Sequence, residues 1–276
     1  MADGISVLEK VIAIVKMVAQ QEVLPRYQQV SRQQKADGSS FTEADLAAQE
    51  VLLRELHKIY PVAAMGEEMS EQVQREQWMA GDAGLWNVDP IDGTSNFING
   101  LPYFAISVAL MKQGRSVLGV VYDPATNEMF YAERNKGAYL NGKRLPIKKS
   151  FTTLSCAIAN VDLKRLDRKL AEKIAGNPPY ASQRNYGACA LEWCYTAAGF
   201  FDLYLHGGQK PWDYAAGALI LEEAGGNMCG FDQDSYWTGS PWQRSVIAAL
   251  DPLLFSQWRD WVRACQAQNV SNSIIK

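Results

Sequence analysis

Histidine is nearly missing from this chain: 276 residues include two, His57 and His206. That scarcity argues against a histidine-rich zinc or copper centre, and against a hydrolase built on the usual serine–histidine–aspartate triad. The five cysteines, Cys156, Cys189, Cys194, Cys229 and Cys265, are odd in number and form no C-x-x-C pair. Neither a disulfide framework nor a thiolate zinc site is indicated, and free thiols in a reducing cytoplasm fit best. A positive surplus is lacking too. With a net charge of −3, the chain offers no electrostatic case for nucleic acid or an anionic membrane as its main partner. An anionic small substrate would need a local positive device, such as metal ions. Long uncharged apolar runs are also absent. Residues 5–18 are apolar but carry Glu9, Lys10 and Lys16, so they read as an amphipathic helix on the core and not as a signal peptide or a membrane span, which needs about 20 apolar residues. No repeat, low-complexity tract or linker stands out.

What is present suffices for a substantial core. Hydrophobic residues make up 47% of the chain, and its length suits one large domain or two small ones sharing an interface. Val7, Leu8, Val11, Ile12, Ile14, Val15 and Val18 recur at helical spacing. A polar stretch, Ser31 to Ser40, ends in a loop signal at Asp37-Gly38-Ser39-Ser40. Thr42 then caps a second helix through about Leu56, with Asp45 where a capping box places an acid. Val62 to Met65 is a short strand, and Ser70 to Ala83 is polar surface cover. Phe104 to Met111 and Val117 to Tyr122 form an antiparallel hairpin, continued by Met129 to Glu133 and Ala138 to Leu140. Beyond residue 150, strands (155–161, 181–185, 202–205, 246–249) alternate with helices (163–174, 188–198, 213–224, 252–264). The expectation is an α+β half, 1–150, followed by a smaller layered α/β half, 151–276.

The most informative stretch is Trp86-Asn87-Val88-Asp89-Pro90-Ile91-Asp92-Gly93-Thr94-Ser95-Asn96-Phe97. Its apolar start reads as a buried strand that stops at Asp89, because Pro90 cannot continue a ladder. Asp92-Gly93 reads as a tight turn, and Thr94, Ser95 and Asn96 as the opening of a helix. Two carboxylates thus sit at a strand end facing a helix start. Carboxylate oxygens are hard ligands that suit Mg²⁺, and the backbone N–H groups of a helix start suit phosphate. An Asp-rich turn that merely caps a helix is the plainer alternative.

A second motif is Lys210-Pro211-Trp212-Asp213-Tyr214-Ala215-Ala216-Gly217. Asp213 begins a helix, where an acid stabilises by about 1 kcal/mol with no further role. Gly66-Glu67-Glu68 reads equally well as solvated surface acids. Yet Glu67, Asp89, Asp92 and Asp213 each stand at an element end beside a Gly, a Pro or a helix start. Four acids massed together would repel one another unless cations neutralised them.

Taken together, Gly66-Glu67-Glu68, Trp86 through Phe97, Trp212 through Gly217 and Glu223-Ala224-Gly225-Gly226 resemble, in order and separation, the inositol monophosphatase family of Mg²⁺-dependent, lithium-sensitive phosphatases. The resemblance implies a layered αβαβα sandwich, a cytoplasmic homodimer, a small phosphorylated polyol or sugar as substrate, and two or three Mg²⁺ ions per subunit. Glu67, Asp89 and the Ile91 carbonyl would hold one ion, and Asp89, Asp92 and Asp213 a second, with Glu67 helping a third. Thr94 and Asp45 would orient the attacking water, and the amides of Gly93, Thr94 and Ser95 would hold phosphate. Arg184, Gly187, Ala188 and Cys189 would border the pocket for the alcohol. Arg184 could equally make a surface ion pair. One departure concerns substrate: family members acting on inositol phosphate carry a glutamate seven residues before the Trp-Asp aspartate, where this chain has His206. Histidine bonds hydroxyls but lacks a carboxylate's bidentate acceptance, and His206 could also simply pack at a strand end. Histidinol phosphate, fructose 1,6-bisphosphate and 3′-phosphoadenosine 5′-phosphate therefore stay open, as does a non-catalytic regulatory role on the same scaffold.

Overall fold

The computed structural model describes residues 5–34, 40–148 and 152–271. The chain opens with α1 (Val7–Val18), capped by a Ser6–Glu9 box and continued to Arg26 by a π turn and a 3₁₀ turn containing Pro25. Two short strands, β1 (Gln33–Gln34) and β2 (Ser40–Phe41), pair antiparallel; most of the Asp37–Ser40 loop signal lies outside the described residues. After them come α2 (Glu43–Ile59), β3 (Ala63–Gly66), α3 (Glu71–Ala80), β4 (Leu85–Asp92) and α4 (Thr94–Asn99). The hairpin of β5 (Ala105–Lys112) and β6 (Arg115–Asp123) turns on Gln113-Gly114, both at positive φ, as the tightest antiparallel turns require. With β7 (Glu128–Glu133), β8 (Ala138–Leu140) and β9 (Lys143–Arg144), strands β3 to β9 form a seven-stranded sheet in sequence order, with only β3 and β4 parallel.

The later residues supply β10 (Ile158–Val161), α5 (Arg168–Gly176), β11 (Ser182–Arg184), α6 (Cys189–Ala198), β12 (Leu203–Gln209), α7 (Pro211–Glu223), β13 (Asn227–Cys229), β14 (Arg244–Ala249) and α8 (Pro252–Ser271). These strands make a five-stranded sheet in the order β11-β10-β12-β14-β13, parallel at the β11 end and antiparallel at the β13 end.

Three apolar clusters stack these elements into five layers. α1 and α2 cover one face of the large sheet through Val11, Val15, Leu52, Trp86, Val88 and Val108. α6 and α7 fill the space between the sheets, with Trp193, Leu219 and Ile220 meeting Ala109, Val121, Tyr204 and Val246. α5 and α8 cover the outer face of the small sheet around Leu170, Leu205, Ile247 and Trp258. This is the αβαβα sandwich expected. It explains why α7 is apolar all round: a helix with a sheet on both sides has no solvent face. The two middle helices also approach closely, since a Cβ at Gly217 would stand 2.4 Å from that of Trp193.

Several local expectations are corrected. β4 does not stop at Asp89 but runs through Pro90 to Asp92, because the residue without an N–H falls in a bulge where no ladder bond is required. Gly93, at φ 88°, caps α4 in place of a polar side chain. The helix expected from Leu163 begins at Arg168, capped by Asp167, after a 3₁₀ turn. β13 was not foreseen; three residues with no alternation leave no periodic signal.

Candidate active site

The bulge in β4 organises the site. Asp89 pairs with Ser107 of β5, but the next register pair is Asp92 with Ala105, so three residues of β4 span two of its partner. In a regular strand, residues three apart face opposite sides of the sheet. The extra residue resets the alternation: Ile91 joins the α1–α2 core, and Asp89 and Asp92 both face the middle helices. β3 adds the third acid. Gly66 pairs with Val88, and the Glu67 N–H donates to the Val88 carbonyl at 3.1 Å, which sets Glu67 beside Asp89. Gln74 of α3 braces this turn, its Nε2 donating to the carbonyls of Gly66, Glu67 and Met69 at 3.1, 3.0 and 3.0 Å. Gln49 of α2 accepts from the Glu68 N–H at 2.9 Å. Asp213 arrives from residues far away in the chain. The hydroxyl of Ser107, the register partner of Asp89, donates to the Trp212 carbonyl at 3.4 Å, and that of Ser116 to the Ala215 carbonyl at 2.7 Å. A Cβ on Gly119 would meet the Ala216 carbonyl oxygen at 2.9 Å, so the start of α7 lies directly on the sheet.

The four acids feel one another. Burial pushes the Asp89 and Asp92 carboxyls well above the usual carboxylate range, and the neighbouring charges of Glu67, Asp92 and Asp213 push Asp89 further. Asp213 is the strongest charged influence on Asp92. Asp213 itself is raised to about 7, by burial first and Glu67 second, with Lys210 and Arg165 only partly offsetting this. Among the described residues, no three acid, histidine or cysteine side chains are already gathered round one point as a finished metal cage. The oxygens in place are anchored singly. Asp89 Oδ1 accepts from the Ile91 N–H at 3.1 Å and Asp213 Oδ2 from the Lys210 N–H at 2.8 Å. Both oxygens of Asp92 accept backbone N–H groups at the start of α6, from Cys189 at 3.1 Å and Ala190 at 2.6 Å. Each carboxylate is thereby oriented while keeping acceptor capacity. An oxygen-only donor set of crowded, buried acids suits a hard divalent cation.

Thr94 and Asp45 come together as well. Asp45 is 1% exposed and keeps its capping role, Oδ2 accepting from the Thr42 N–H at 2.7 Å and the Thr42 hydroxyl at 2.6 Å. Its Oδ1 stands 3.3 Å from the Thr94 hydroxyl, which also lies 3.0 Å from the Ile91 carbonyl. The cap and the site are two faces of one side chain. Burial lifts the Asp45 carboxyl to about 6, against the lowering hydrogen bonds from Thr42.

The opposite wall is the loop before α6. Gly187, at φ 77°, and Ala188 pack on the Gly93 turn; a Cβ on Gly93 would stand 3.1 Å from that of Ala188 and 3.3 Å from the Gly187 carbonyl oxygen. Asn96 donates to the Tyr186 carbonyl at 2.6 Å, and the Gly187 N–H donates to Glu192 Oε1 at 3.1 Å. Glu192 is 1% exposed, and burial raises it to about 7. Sequence reading passed over it, although an acid inside the apolar run Ala190 to Cys194 was a visible signal. Gln49, Gln74 and Ser107 carried no such signal. Arg184 is held locally on β11, its Nη1 donating to Ser182 Oγ and the Gln183 carbonyl at 2.8 Å each. His206 is also turned inward. Its Nδ1 accepts from the Gly208 N–H at 3.1 Å, its Nε2 lies 3.7 Å from Asp162, and burial lowers it to about 4, so it is neutral. The exposed Arg165 reaches both His206 and Asp213 electrostatically.

Five alternating layers, with an acid-lined cleft where the middle helices meet the large sheet, define a class of α/β sandwich protein. The comparisons narrow it. The inositol monophosphatase family matches residues 4–267, and the chain belongs to that family. It is 39% identical to an inositol-1-monophosphatase of Rhizobium meliloti, over 77% of this chain and 79% of that protein. It is 36% identical to a Nus factor SuhB of Pasteurella multocida, over 72% and 74% respectively. The solved structure of a Thermotoga maritima IMPase, 30% identical, superposes with a TM-score of 0.78 over 93% of this chain and 96% of that one.

Proposed function

We propose that this protein is a Mg²⁺-dependent phosphomonoesterase that hydrolyses a small phosphorylated polyol or sugar by in-line attack of water. The observation that carries the reading is the convergence of Asp213, from the start of α7, on Asp89 and Asp92 of β4. Glu67, Asp89, Asp92, Asp213 and the Ile91 carbonyl would hold the cations. Bound there, the cations would supply neutralising charge and Lewis acidity to a phosphate ester that otherwise resists water. The chain's own groups do the positioning. The Thr94 hydroxyl, steered by Asp45, fixes the direction of the attacking water, and the first amides of α4, at Gly93, Thr94 and Ser95, receive phosphoryl oxygens. Gly187, Ala188 and Cys189 border the alcohol, with Arg184 behind them. His206, already bonded within the protein, shapes the wall through Asp162 and does not replace a carboxylate that accepts sugar hydroxyls. A homodimer, a cytoplasmic site of action and inhibition by Li⁺ belong to the same proposal.

The test is phosphate release over a panel containing inositol 1-phosphate, histidinol phosphate, fructose 1,6-bisphosphate and 3′-phosphoadenosine 5′-phosphate, with Mg²⁺ and with EDTA. Magnesium-dependent release from at least one ester is expected. Release from none would refute the assignment. Relatives bearing the Nus factor name support a second reading, in which a binding role is carried on the same scaffold. An Asp89→Asn protein that releases no phosphate yet restores growth to a strain lacking the gene would make that role primary.

A further inference from the structure

One peptide of the loop before α6 is gripped at both ends, by residues of two different helices. The Tyr186 carbonyl accepts from Asn96 Nδ2 at 2.6 Å, and the N–H of the same peptide, that of Gly187, donates to Glu192 Oε1 at 3.1 Å. Asn96 belongs to α4, whose first amides are the proposed phosphate donors, and its Nδ2 also donates to the Tyr103 carbonyl at 2.8 Å. Glu192 belongs to α6 and is buried, and its carboxyl also feels the Asn160 side chain and the Tyr186 N–H. The gripped peptide leads into Gly187, at φ 77°, where a glycine left to itself would let the plane turn over. The residues that follow already lie on the Gly93 turn and on Asp92.

Stability alone does not call for this acid. Gly187 is exposed, so water could satisfy its N–H. The acid that reaches it lies in the apolar run Ala190 to Cys194, among residues packed between the sheets, and burial raises its carboxyl to about 7. A hydrocarbon side chain of similar length would fill that space at less cost. What an acceptor at position 192 adds is orientation. With its carbonyl held from α4 and its N–H from α6, the peptide plane cannot rotate without breaking a hydrogen bond. The grip also spans two parts of the cleft. It ties the helix start proposed to hold phosphate to the loop proposed to border the alcohol, and so fixes the gap between them.

We propose that Glu192, together with Asn96, is a positioning residue that sets substrate specificity: by fixing the Tyr186–Gly187 peptide, it holds the wall of Gly187, Ala188 and Cys189 at the distance from Gly93, Thr94 and Ser95 that suits the alcohol of the preferred ester. This role rests on the phosphatase reading and deepens it, since discrimination among alcohols passes to a buried side chain that acts through the wall.

The test compares wild type, Glu192→Gln and Glu192→Met, in Mg²⁺, on the best ester of the panel and on methyl phosphate, whose alcohol is a single methyl group. Glu192→Gln keeps an oxygen acceptor, and Glu192→Met keeps the length without one. With the best ester, Glu192→Met is expected to raise KM about tenfold while kcat stays within about threefold, and Glu192→Gln to stay within about threefold in both. With methyl phosphate, kcat/KM of Glu192→Met should change by less than about threefold, so that the preference for the larger alcohol narrows. Exchange of the Gly187 amide hydrogen, read by NMR, should quicken about tenfold in Glu192→Met and not in Glu192→Gln. Equal losses on both esters, a loss confined to kcat, a Glu192→Gln protein as impaired as Glu192→Met, or an unchanged Gly187 exchange rate would overturn the proposal. If Glu192→Met does not fold, Asn96→Ala, which frees the carbonyl end of the same peptide, decides by the same split between KM and kcat. An active wild type with unaffected variants sinks this role alone, whereas a wild type that releases phosphate from no ester sinks the phosphatase reading and this role with it.

Discussion

The two sheets meet the same cleft in opposite ways. The seven-stranded sheet brings charge: Glu67, Asp89 and Asp92 stand on its inner face, with backbone N–H groups orienting Asp89 and Asp92. The five-stranded sheet and its loops bring shape: His206 is neutral and bonded inward, and Glu192 ties down the Gly187 turn. Buried carboxylates that repel one another lower stability, so the first region is kept at a cost in stability. The second holds the wall in place through an inward histidine that stays neutral and a buried acid whose cost grows as pH rises toward neutrality.

Substitution on the charged side is expected to separate the two most sharply. Asp89→Asn removes a proposed cation ligand and should reduce Mg²⁺-dependent phosphate release by about a thousandfold, on the order of 4 kcal/mol. The EDTA-treated variant should melt higher than the EDTA-treated wild type, as one repelling charge is gone. A lower melting temperature would show that Asp89 serves structure instead.

On the shape side, pH is the lever. Glu192 releases its proton near 4.5 in the unfolded chain and at about 7 when folded. Its favourable contribution is complete below 4.5 and is lost as pH rises through 7, a swing of about 3 kcal/mol. His206 slopes the other way. Burial, opposed by Asp162 and helped by Arg165, lowers its value from 6.5 to about 4, so stability is lost as pH drops from 6.5 toward 4, again by about 3 kcal/mol. Urea unfolding of Glu192→Gln between pH 5 and 8, and of His206→Asn between pH 4 and 6.5, should flatten the respective slopes. Unchanged slopes would remove these residues from the account.

Thr94→Val keeps the shape and deletes the hydroxyl that meets both Asp45 and the Ile91 carbonyl. A fall in kcat of about thirtyfold, near 2 kcal/mol, with little change in KM is expected from lost positioning. A change confined to KM would place Thr94 in binding alone. The smallest effect tests the joint between the sheets. Gly217→Ala presses a methyl into Trp193 and should cost about 1–2 kcal/mol in unfolding free energy, with cation dependence unaltered.

Much of this was legible beforehand, for identifiable reasons. The Thr42–Asp45 cap and the hairpin turn between Met111 and Val117 are local, and local chemistry writes them into adjacent residues. The five layers were what the family resemblance implied, and apolar spacing marked most of the helices and strands within them. The bulge at Pro90-Ile91 was not legible: proline pointed to a strand end, whereas the partner strand decided that the ladder resumes at Asp92. Gln74 and Ser107 read as ordinary polar residues until pairing placed them under Glu67 and beside Trp212.

By itself, the sequence determined which residue types are available, where most helices and strands begin, and that the acids stand at element ends, because capping, turns and periodicity act over a few residues. Only the tertiary structure decided that Asp213 joins Asp89 and Asp92 and that His206 turns inward. Those outcomes depend on register and on the packing of α7 between two sheets, which no spacing along the chain encodes.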